Sequence, residues 1–340
     1  MAHLAYCYTR STLSSGCVGQ PSTSPIGGRN MRTVRRATVT ILLLLLVCLT
    51  ACTIKPAPCY PRPALLRTPP PVAMPELLEL AHHDNGRSKG VLVGDGEQVR
   101  FEIRRAPSSM ETTGKDRPMV LLVPILAGGR ELMGLVAQRL AAHGFDVAFC
   151  ERAGRALSPP QRGPELDELF RRTVLHQRLL LNWLRHSDQP PPSLHVLGIS
   201  MGGIISTVLA AIDHDLRSAA ICLAGADLAN LMLVSSESRV QDWLTWRQET
   251  DGIGLDTLHW ELTQSLSHEP ARYAASVPTE KVLFVSAALD TVVPRRNQIL
   301  LWEGLGRPER LDVPFGHYTA AMALDRVISA AADHFHAHCP

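Results

Sequence analysis

The stretch Leu194-His-Val-Leu-Gly-Ile-Ser-Met-Gly-Gly-Ile-Ile-Ser-Thr-Val-Leu-Ala-Ala-Ile212 is the part of the chain that says most about its fold. It begins as a short apolar run after three prolines and ends as residues compatible with a helix. Between them lies Gly198-Ile-Ser-Met-Gly202, a G-x-S-x-G match. This pattern is typical of a nucleophile elbow, where a buried strand stops, a serine takes a strained conformation and a helix starts at once. Glycines are expected there because strand and helix pass too close for side chains.

Apolar runs of strand length alternate with helical patterns along the rest of the chain. Strands are predicted at 91–93, 98–104, 119–125, 145–150, 219–224, 281–287 and 310–314, besides the strand before Ser200. Helices are predicted at 130–143, 165–186 and 318 to about 336, besides the helix after Ser200. Asp95-Gly96 predicts a hairpin turn between the first two strands. The alternation implies an α/β fold with a mainly parallel sheet and right-handed crossovers.

One segment interrupts this alternation. Residues 226–278 separate two predicted strands and hold Trp243, Trp246 and Trp260, three of the five tryptophans. Two interpretations stand side by side. The tryptophans line an apolar substrate pocket, or they form the core of the inserted segment itself.

The order of chemically active residues extends the pattern. After Ser200, Asp290 follows the predicted strand 281–287, and His317 follows the last strand within Pro314-Phe-Gly-His-Tyr318. With its serine, acid and histidine in this order, the chain resembles the α/β-hydrolase superfamily over roughly residues 90–335. The resemblance implies a mainly parallel sheet flanked by helices, with 226–278 as a helical cap inside a hydrolase domain at 76–340.

The resemblance also implies roles for individual residues. A serine hydroxyl needs a base to become a nucleophile, and the base needs a buried carboxylate to hold its tautomer. Ser200, His317 and Asp290 are the expected catalytic triad, with Asp227 as the reserve acid. His195 lies on the strand before Ser200 and is expected to pack against the sheet.

The tetrahedral intermediate of such a reaction needs backbone N–H donors, which form an oxyanion hole. Met201 is expected to supply one and Leu126 the other, with Ile125 as the alternative. The loop starting at Pro124 lacks the His-Gly pair common in the superfamily. Arg152 and Arg155 follow a strand at the same edge of the sheet, and either bind a substrate carboxylate or are solvated loop residues.

The N-terminal part has a different character. Residues 1–30 show no periodicity and are expected to be a disordered extension; we hypothesise that translation starts at Met31, which N-terminal sequencing of the precursor tests. Residues 31–52 join three arginines to a short apolar run and end in Leu49-Thr-Ala-Cys52, which resembles a bacterial lipoprotein signal peptide with Cys52 as the lipidated residue. The alternative is an uncleaved anchor helix. Residues 53–75 contain eight prolines and predict a semi-rigid tether.

Net charge and the spacing of cysteines and histidines give no sign of a nucleic-acid-binding or metal-binding protein. A net charge of +2 over 340 residues gives no indication of a nucleic-acid partner. Cys150 and Cys222 are expected to be buried, and Cys59 and Cys339 either pair or stay free. No cysteine spacing suggests a metal site, and the histidines of the tail 334–339 share no single helical face.

These features together predict a lipid-anchored enzyme of the bacterial cell envelope that cleaves a carboxylic ester or related acyl bond through an acyl-enzyme on Ser200. Its partners are a small acyl substrate and a membrane, and it needs no cofactor. The alternatives are a non-catalytic binding or scaffold protein on the same fold and an acyltransferase. The sequence indicates no oligomeric state.

Overall fold

The structure, a computed structural model, describes residues 71–83, 86–107, 117–126 and 129–340. The predicted N-terminal extension, the signal segment with Cys52 and most of the tether lie outside these residues. Within them, no helix combines the length and apolar character that crossing a bilayer requires.

Within the described ranges, nine strands form one sheet in the order β1-β2-β3-β5-β4-β6-β7-β8-β9. Pairing is antiparallel from β1 through β3 to β5 and parallel from β5 to β9. The predicted mainly parallel sheet is therefore confirmed. The strands are β1 (Glu76–His83), β2 (Arg87–Gly94), β3 (Glu97–Arg104), β4 (Met119–Val123), β5 (Asp146–Cys150), β6 (Leu194–Ile199), β7 (Ser218–Cys222), β8 (Val282–Ala287) and β9 (Glu309–Val313).

Helices cover both faces of this sheet. The α-helices of the described residues are α1 (Gly129–Ala142), α2 (Gly163–Arg185), α3 (Met201–Ile212), α4 (Leu228–Val234), α5 (Ser238–Asp251), α6 (Leu255–Ser265), α7 (Ala271–Ala274), α8 (Arg295–Gly304) and α9 (Leu324–Ala337). Helices α2, α3 and α8 contribute to one apolar core, and α1 and α9 contribute to the other.

Strand β4 illustrates how the sheet divides the two cores. Leu121 and Val123 belong to the core of α2 and α3, whereas Val120 and Leu122 belong to the core of α1 and α9. All four are fully buried. A strand buried on both faces needs an unbroken apolar run rather than an alternating one, which is why this strand is easily recognised in the sequence.

The predicted hairpin turn is present between β2 and β3. Asp95 and Gly96 have φ values of 48° and 77°, as the central residues of a two-residue hairpin turn require.

Three features of the fold differ from the sequence-based expectation. Strand β1 and helix α8 are additional elements, and the last helix starts at Leu324, because Thr319–Ala323 forms a 3₁₀ turn after Tyr318.

The segment 226–278 consists of the short helices α4 to α7, and we call it the cap. Its centre is Trp243, which is 1% exposed and whose indole N–H donates to the Gln161 carbonyl at 2.9 Å. The Arg247 guanidinium lies over the Trp243 ring and pairs with Asp251 and Glu261. Trp243 is buried in the apolar core that the cap shares with α2 and α3, Trp246 packs partly buried against that core, and Trp260 is 65% exposed. The three tryptophans therefore do not together form a core of the cap's own.

A buried carboxylate fixes the start of the cap. Glu269 is 3% exposed and accepts backbone N–H bonds from Asp227 (2.9 Å), Leu228 (2.6 Å) and Ala271 (3.0 Å). It thereby satisfies N–H groups at the start of α4 that have no partner within that helix. Burial outweighs these bonds and raises the pKa of Glu269 to about 7.

This shift predicts a pH dependence of stability. Because the folded state holds the Glu269 proton to about pH 7 and the unfolded state releases it near the ordinary glutamate pKa of 4.5, the free energy of unfolding should fall as pH rises between these values. The loss is on the order of 3 kcal/mol. Urea unfolding at several pH values measures it.

Glu269→Gln has no titrating proton, so it should flatten the dependence of the free energy of unfolding on pH. The glutamine keeps one acceptor oxygen of the two. Glu249→Gln, at an exposed position of α5, is the matched control and should keep the wild-type slope. An equal slope in Glu269→Gln and wild type would contradict the prediction.

Candidate active site

Ser200 lies between β6 and α3 in a backbone conformation that few non-glycine residues adopt. Its φ is 57° and its ψ is −123°. Its N–H donates to the Cys222 carbonyl at 2.8 Å, and its carbonyl accepts from Gly203 N–H at 2.9 Å. The strained serine is thus fixed from both sides by strand β7 and helix α3, as in the predicted elbow.

The glycines around Ser200 are required by close backbone contacts. A Cβ at Gly198 would lie 2.1 Å from the Gly202 carbonyl oxygen, and a Cβ at Gly202 would lie 2.5 Å from the Val123 carbonyl oxygen. At Gly203 the nearest atom is the Ala224 Cβ, at 2.7 Å. Helix α3 therefore packs directly against strands β4 and β6, with no room for side chains between them.

Asp290 is the buried acid of the site. One carboxylate oxygen accepts the backbone N–H groups of Val292 (2.9 Å) and Val293 (2.8 Å). The other lies 2.7 Å from His317 Nδ1. The side chain is fully buried, and these donors replace water around its charge.

His317 connects the acid to the serine. Its Nε2 lies 3.1 Å from Ser200 Oγ, while Nδ1 faces Asp290. Since ionised Asp290 can only accept, Nδ1 carries the proton and Nε2 is left to accept the serine proton. The structure thus brings Ser200, His317 and Asp290 into one hydrogen-bonded line, with the geometry of a serine nucleophile, its base and an orienting acid.

Asp227, the reserve acid, and His195 are not part of this hydrogen-bonded line. Asp227 has left-handed backbone geometry before α4, where its N–H donates to Glu269. His195 is fully buried in β6, with Ser193 and Ser218 hydroxyls 3.0 Å and 2.9 Å from its ring nitrogens. Burial lowers the pKa of His195 to about 3, so it stays neutral within the core as its strand position predicts.

The two residues predicted for the oxyanion hole lie beside Ser200. Met201 is the first residue of α3, whose first N–H groups have no partner within the helix. Leu126 follows β4 and lines the same cavities as Ser200. The Arg152 guanidinium donates to the Leu126 carbonyl. Arg152 therefore contacts the loop of Leu126, a role that neither sequence interpretation anticipated.

Two apolar cavities meet at Ser200. The first has a volume of about 150 Å³ and is walled by α9 and the 3₁₀ turn before it, including Ala320, Leu324 and Val327. The second has a volume of about 90 Å³ and is walled by α2 and the cap, including Phe170 and Met232. They share Leu126, Ser200, Glu237 and Val292. Among the described residues, none of the cap tryptophans lines either cavity, so they do not form the predicted aromatic pocket.

Sequence reasoning missed two side chains at this junction. Glu237 is 6% exposed and lies just before α5 of the cap. It accepts a hydrogen bond from the hydroxyl of Tyr318, the neighbour of His317. Partial desolvation of its hydroxyl and the hydrogen bond to the Glu237 carboxylate raise the pKa of Tyr318 to about 12. Position next to His317 was the one available signal for Tyr318, and no motif marked Glu237.

The remaining predictions concern cysteines and metals. Cys150 and Cys222 are free and buried, as expected, and Cys339 is free; its suggested partner Cys59 lies outside the described residues. His334, His336 and His338 each contact backbone carbonyls through a ring nitrogen. No cluster of potential metal ligands occurs within the described part of the chain.

Comparisons with known proteins concern the fold of the chain. The family described as "Serine aminopeptidase, S33" matches residues 115–277, slightly under half of the chain. Acetyl xylan esterase 1 from Thermoanaerobacterium sp. is similar in structure, with a TM-score of 0.54, 15% identity, and coverage of 80% of this chain and 96% of that one. Est1E from Butyrivibrio proteoclasticus has a TM-score of 0.52 and 9% identity, and covers 73% and 98%. This chain has the α/β-hydrolase fold.

A third structure of this fold is a cold-adapted esterase from an Arctic intertidal metagenomic library, with a TM-score of 0.51, 14% identity, and coverage of 77% of this chain and all of the other. No curated protein matches the sequence. At these identities the likeness concerns the α/β-hydrolase fold alone.

The elbow of this α/β-hydrolase fold yields a prediction about Gly198. In Gly198→Ala the new methyl group meets backbone atoms, which cannot rotate away. We expect a loss of about 1–3 kcal/mol or more in the free energy of unfolding, measured by urea denaturation.

Gly134→Ala is the matched control, because a Cβ there has no atom within 4 Å. It lies inside α1 and should stabilise the chain by up to about 1 kcal/mol through helix propensity. Equal stability of the two variants would contradict the close approach of strand and helix.

Proposed function

We propose that this protein is a serine hydrolase that cleaves carboxylic esters through an acyl-enzyme on Ser200. The observation that carries the proposal is the hydrogen-bonded line from Asp290 through His317 to Ser200, with contacts of 2.7 Å and 3.1 Å. Strands β6, β8 and β9 bring these residues together at their carboxyl ends, where ligands bind in open α/β sheets.

In the proposed mechanism, His317 Nε2 takes the Ser200 proton while Oγ attacks the ester carbonyl. The oxyanion is stabilised by the backbone N–H groups of Met201 and Leu126. His317 then donates the proton to the departing alcohol, which leaves an acyl-serine. Water attacks the acyl group with His317 again as base. The bond to Ser200 Oγ then breaks, His317 returns the proton to Oγ, and the acid product leaves. Asp290 holds the Nδ1 proton and stabilises the imidazolium without taking the proton itself.

The two cavities support a substrate with apolar groups on both sides of the scissile bond. The described walls contain one carboxylate, Glu237, and are otherwise mainly aliphatic, with Phe170 and Tyr318 as aromatic members. An apolar cavity of about 150 Å³ accommodates a molecule the size of benzene. We therefore propose that short acyl and alcohol groups are preferred over long chains.

Hydrolysis of nitrophenyl esters of increasing acyl length tests the function. We expect turnover of short-chain esters, with kcat/KM lower for long chains. Ser200→Ala should lose at least about 10³-fold in kcat, because no other group can form the acyl-enzyme. Covalent labelling by a fluorophosphonate should also disappear.

Ser206→Ala is the matched control, since Ser206 lies on the same helix, is fully buried and lines neither cavity at Ser200. It should keep both turnover and labelling. Absence of both in the wild-type chain would favour the binding-protein alternative. Ester product formed only when an alcohol acceptor is supplied would favour acyl transfer.

We also propose that Cys52 carries a lipid that anchors the protein in a bacterial cell envelope. Support comes from the arginines, the apolar run and the Leu49-Thr-Ala-Cys52 motif. A lipid with a proline-rich tether would hold the catalytic domain near a membrane surface.

In a bacterial host, Cys52→Ala should abolish incorporation of labelled palmitate into the protein. Cys59→Ala, seven residues further along, is the control and should leave incorporation unchanged. Equal incorporation in Cys52→Ala and wild type would show that Cys52 is not the modified residue.

A further inference from the structure

The cap contacts the loop of the acid through Ser236. Its backbone N–H donates to the Thr291 carbonyl at 3.0 Å, and the two hydroxyl oxygens lie 2.7 Å apart. Thr291 directly follows Asp290 and precedes Val292, whose N–H donates to the carboxylate. The Ser236 bonds therefore restrain the turn that orients the acid.

The next cap residue contacts the loop of the histidine. Glu237 accepts the hydrogen bond of the Tyr318 hydroxyl. The Tyr318 ring packs edge-to-face against the His317 imidazole, with centroids 5.5 Å apart and an interplanar angle of 87°. Tyr318 is 67% exposed, so little else among the described residues restrains its ring. The Glu237 bond thus limits the positions that the imidazole can take.

The contacting segment is itself held within the cap. Ser235 is 1% exposed. Its hydroxyl accepts the Glu237 N–H at 3.2 Å, and its carbonyl accepts a bond from Gln241 on α5 at 2.5 Å. Residues 235–237 are therefore anchored on one side to α5 and on the other to both catalytic loops.

We propose that residues 235–237 are a positioning element for catalysis: Ser236 sets the loop of Asp290, and Glu237, through Tyr318, sets the loop of His317. The inference rests on the proposed function. Its physical basis is that misplacement of a catalytic group by about 1 Å can cost about 10²-fold in rate. Neither Ser236 nor Tyr318 needs to touch the reacting atoms for this role.

The experiment compares Ser236→Ala, Glu237→Ala, Tyr318→Phe and the double variant Glu237→Ala/Tyr318→Phe in the full chain. With nitrophenyl butyrate we expect each single variant to lower kcat about ten-fold with little change in KM, and fluorophosphonate labelling to slow in parallel. The double variant should be no slower than the slower of Glu237→Ala and Tyr318→Phe, because these two substitutions remove the same hydrogen bond.

A conservative variant and a matched control separate positioning from general loosening of the cap. Glu237→Gln keeps an oxygen that accepts the Tyr318 hydroxyl and should retain most of the wild-type kcat. Ser267→Ala breaks another contact of the cap, from the Ser267 hydroxyl to Asp167 on α2 at 2.5 Å, and should leave kcat at the wild-type value. Thermal unfolding of every variant verifies that it is folded.

The outcomes distinguish the two proposals. Unchanged kcat in the variants of an active wild-type chain overturns the positioning role alone. A rise in KM without a fall in kcat also overturns it, since residues 235–237 would then act only as a pocket wall. It is overturned as well if the double variant loses kcat by the product of the two single-variant factors. An equal fall in kcat for Ser267→Ala and Ser236→Ala also overturns it. A wild-type chain that neither cleaves the ester nor reacts with the fluorophosphonate overturns the proposed function, and this inference with it.

Discussion

The direct backbone contact between β6 and α3 is the constraint on which the rest of the site depends. A Cβ at Gly198 would lie 2.1 Å from the Gly202 carbonyl oxygen, so the two backbones are in direct contact. The chain must therefore turn from strand to helix within one residue. Ser200 occupies that residue and takes its positive φ. Because β6 pairs with β4 and β7 on its two sides, the strained turn is held by the most buried part of the sheet. The stability of the core thus maintains a conformation that is unfavourable by itself.

The sheet register then determines what Ser200 meets. Strands β8 and β9 run parallel, with Ala287 opposite Val313 as their last pair. Asp290 and His317 follow these strand ends by three and four residues, so the acid and the base emerge side by side. The backbone N–H groups of Val292 and Val293 donate to the Asp290 carboxylate from within the same turn. In the proposed mechanism, a site organised in this way needs little rearrangement when charge develops on the imidazole.

The elements that were predicted correctly are those whose signal is local. Strand β4 has an unbroken apolar run, the hairpin has Asp95-Gly96, and Ser200 has glycines at fixed spacing. Strand β1 was missed because Glu76–His83 is mostly exposed on both faces and shows no alternation.

The relation of the cap to the catalytic loops could not be predicted for a different reason. Glu237 meets Tyr318 across 81 residues of sequence, and this contact depends on how the cap folds over the sheet. Apolar periodicity locates helices in the cap but does not specify which residue faces His317. The same holds for Arg152, whose contact with Leu126 spans 26 residues.

The two cavities at Ser200 have separate walls beyond the four residues that they share. One wall belongs to the C-terminal helix and the turn before it, and the other to α2 and the cap. A change in side-chain volume on one wall therefore need not disturb the other, since only the four shared residues border both cavities. For protein engineering, and under the proposed function, the scaffold offers two separately adjustable pockets beside one serine, one for each half of an ester.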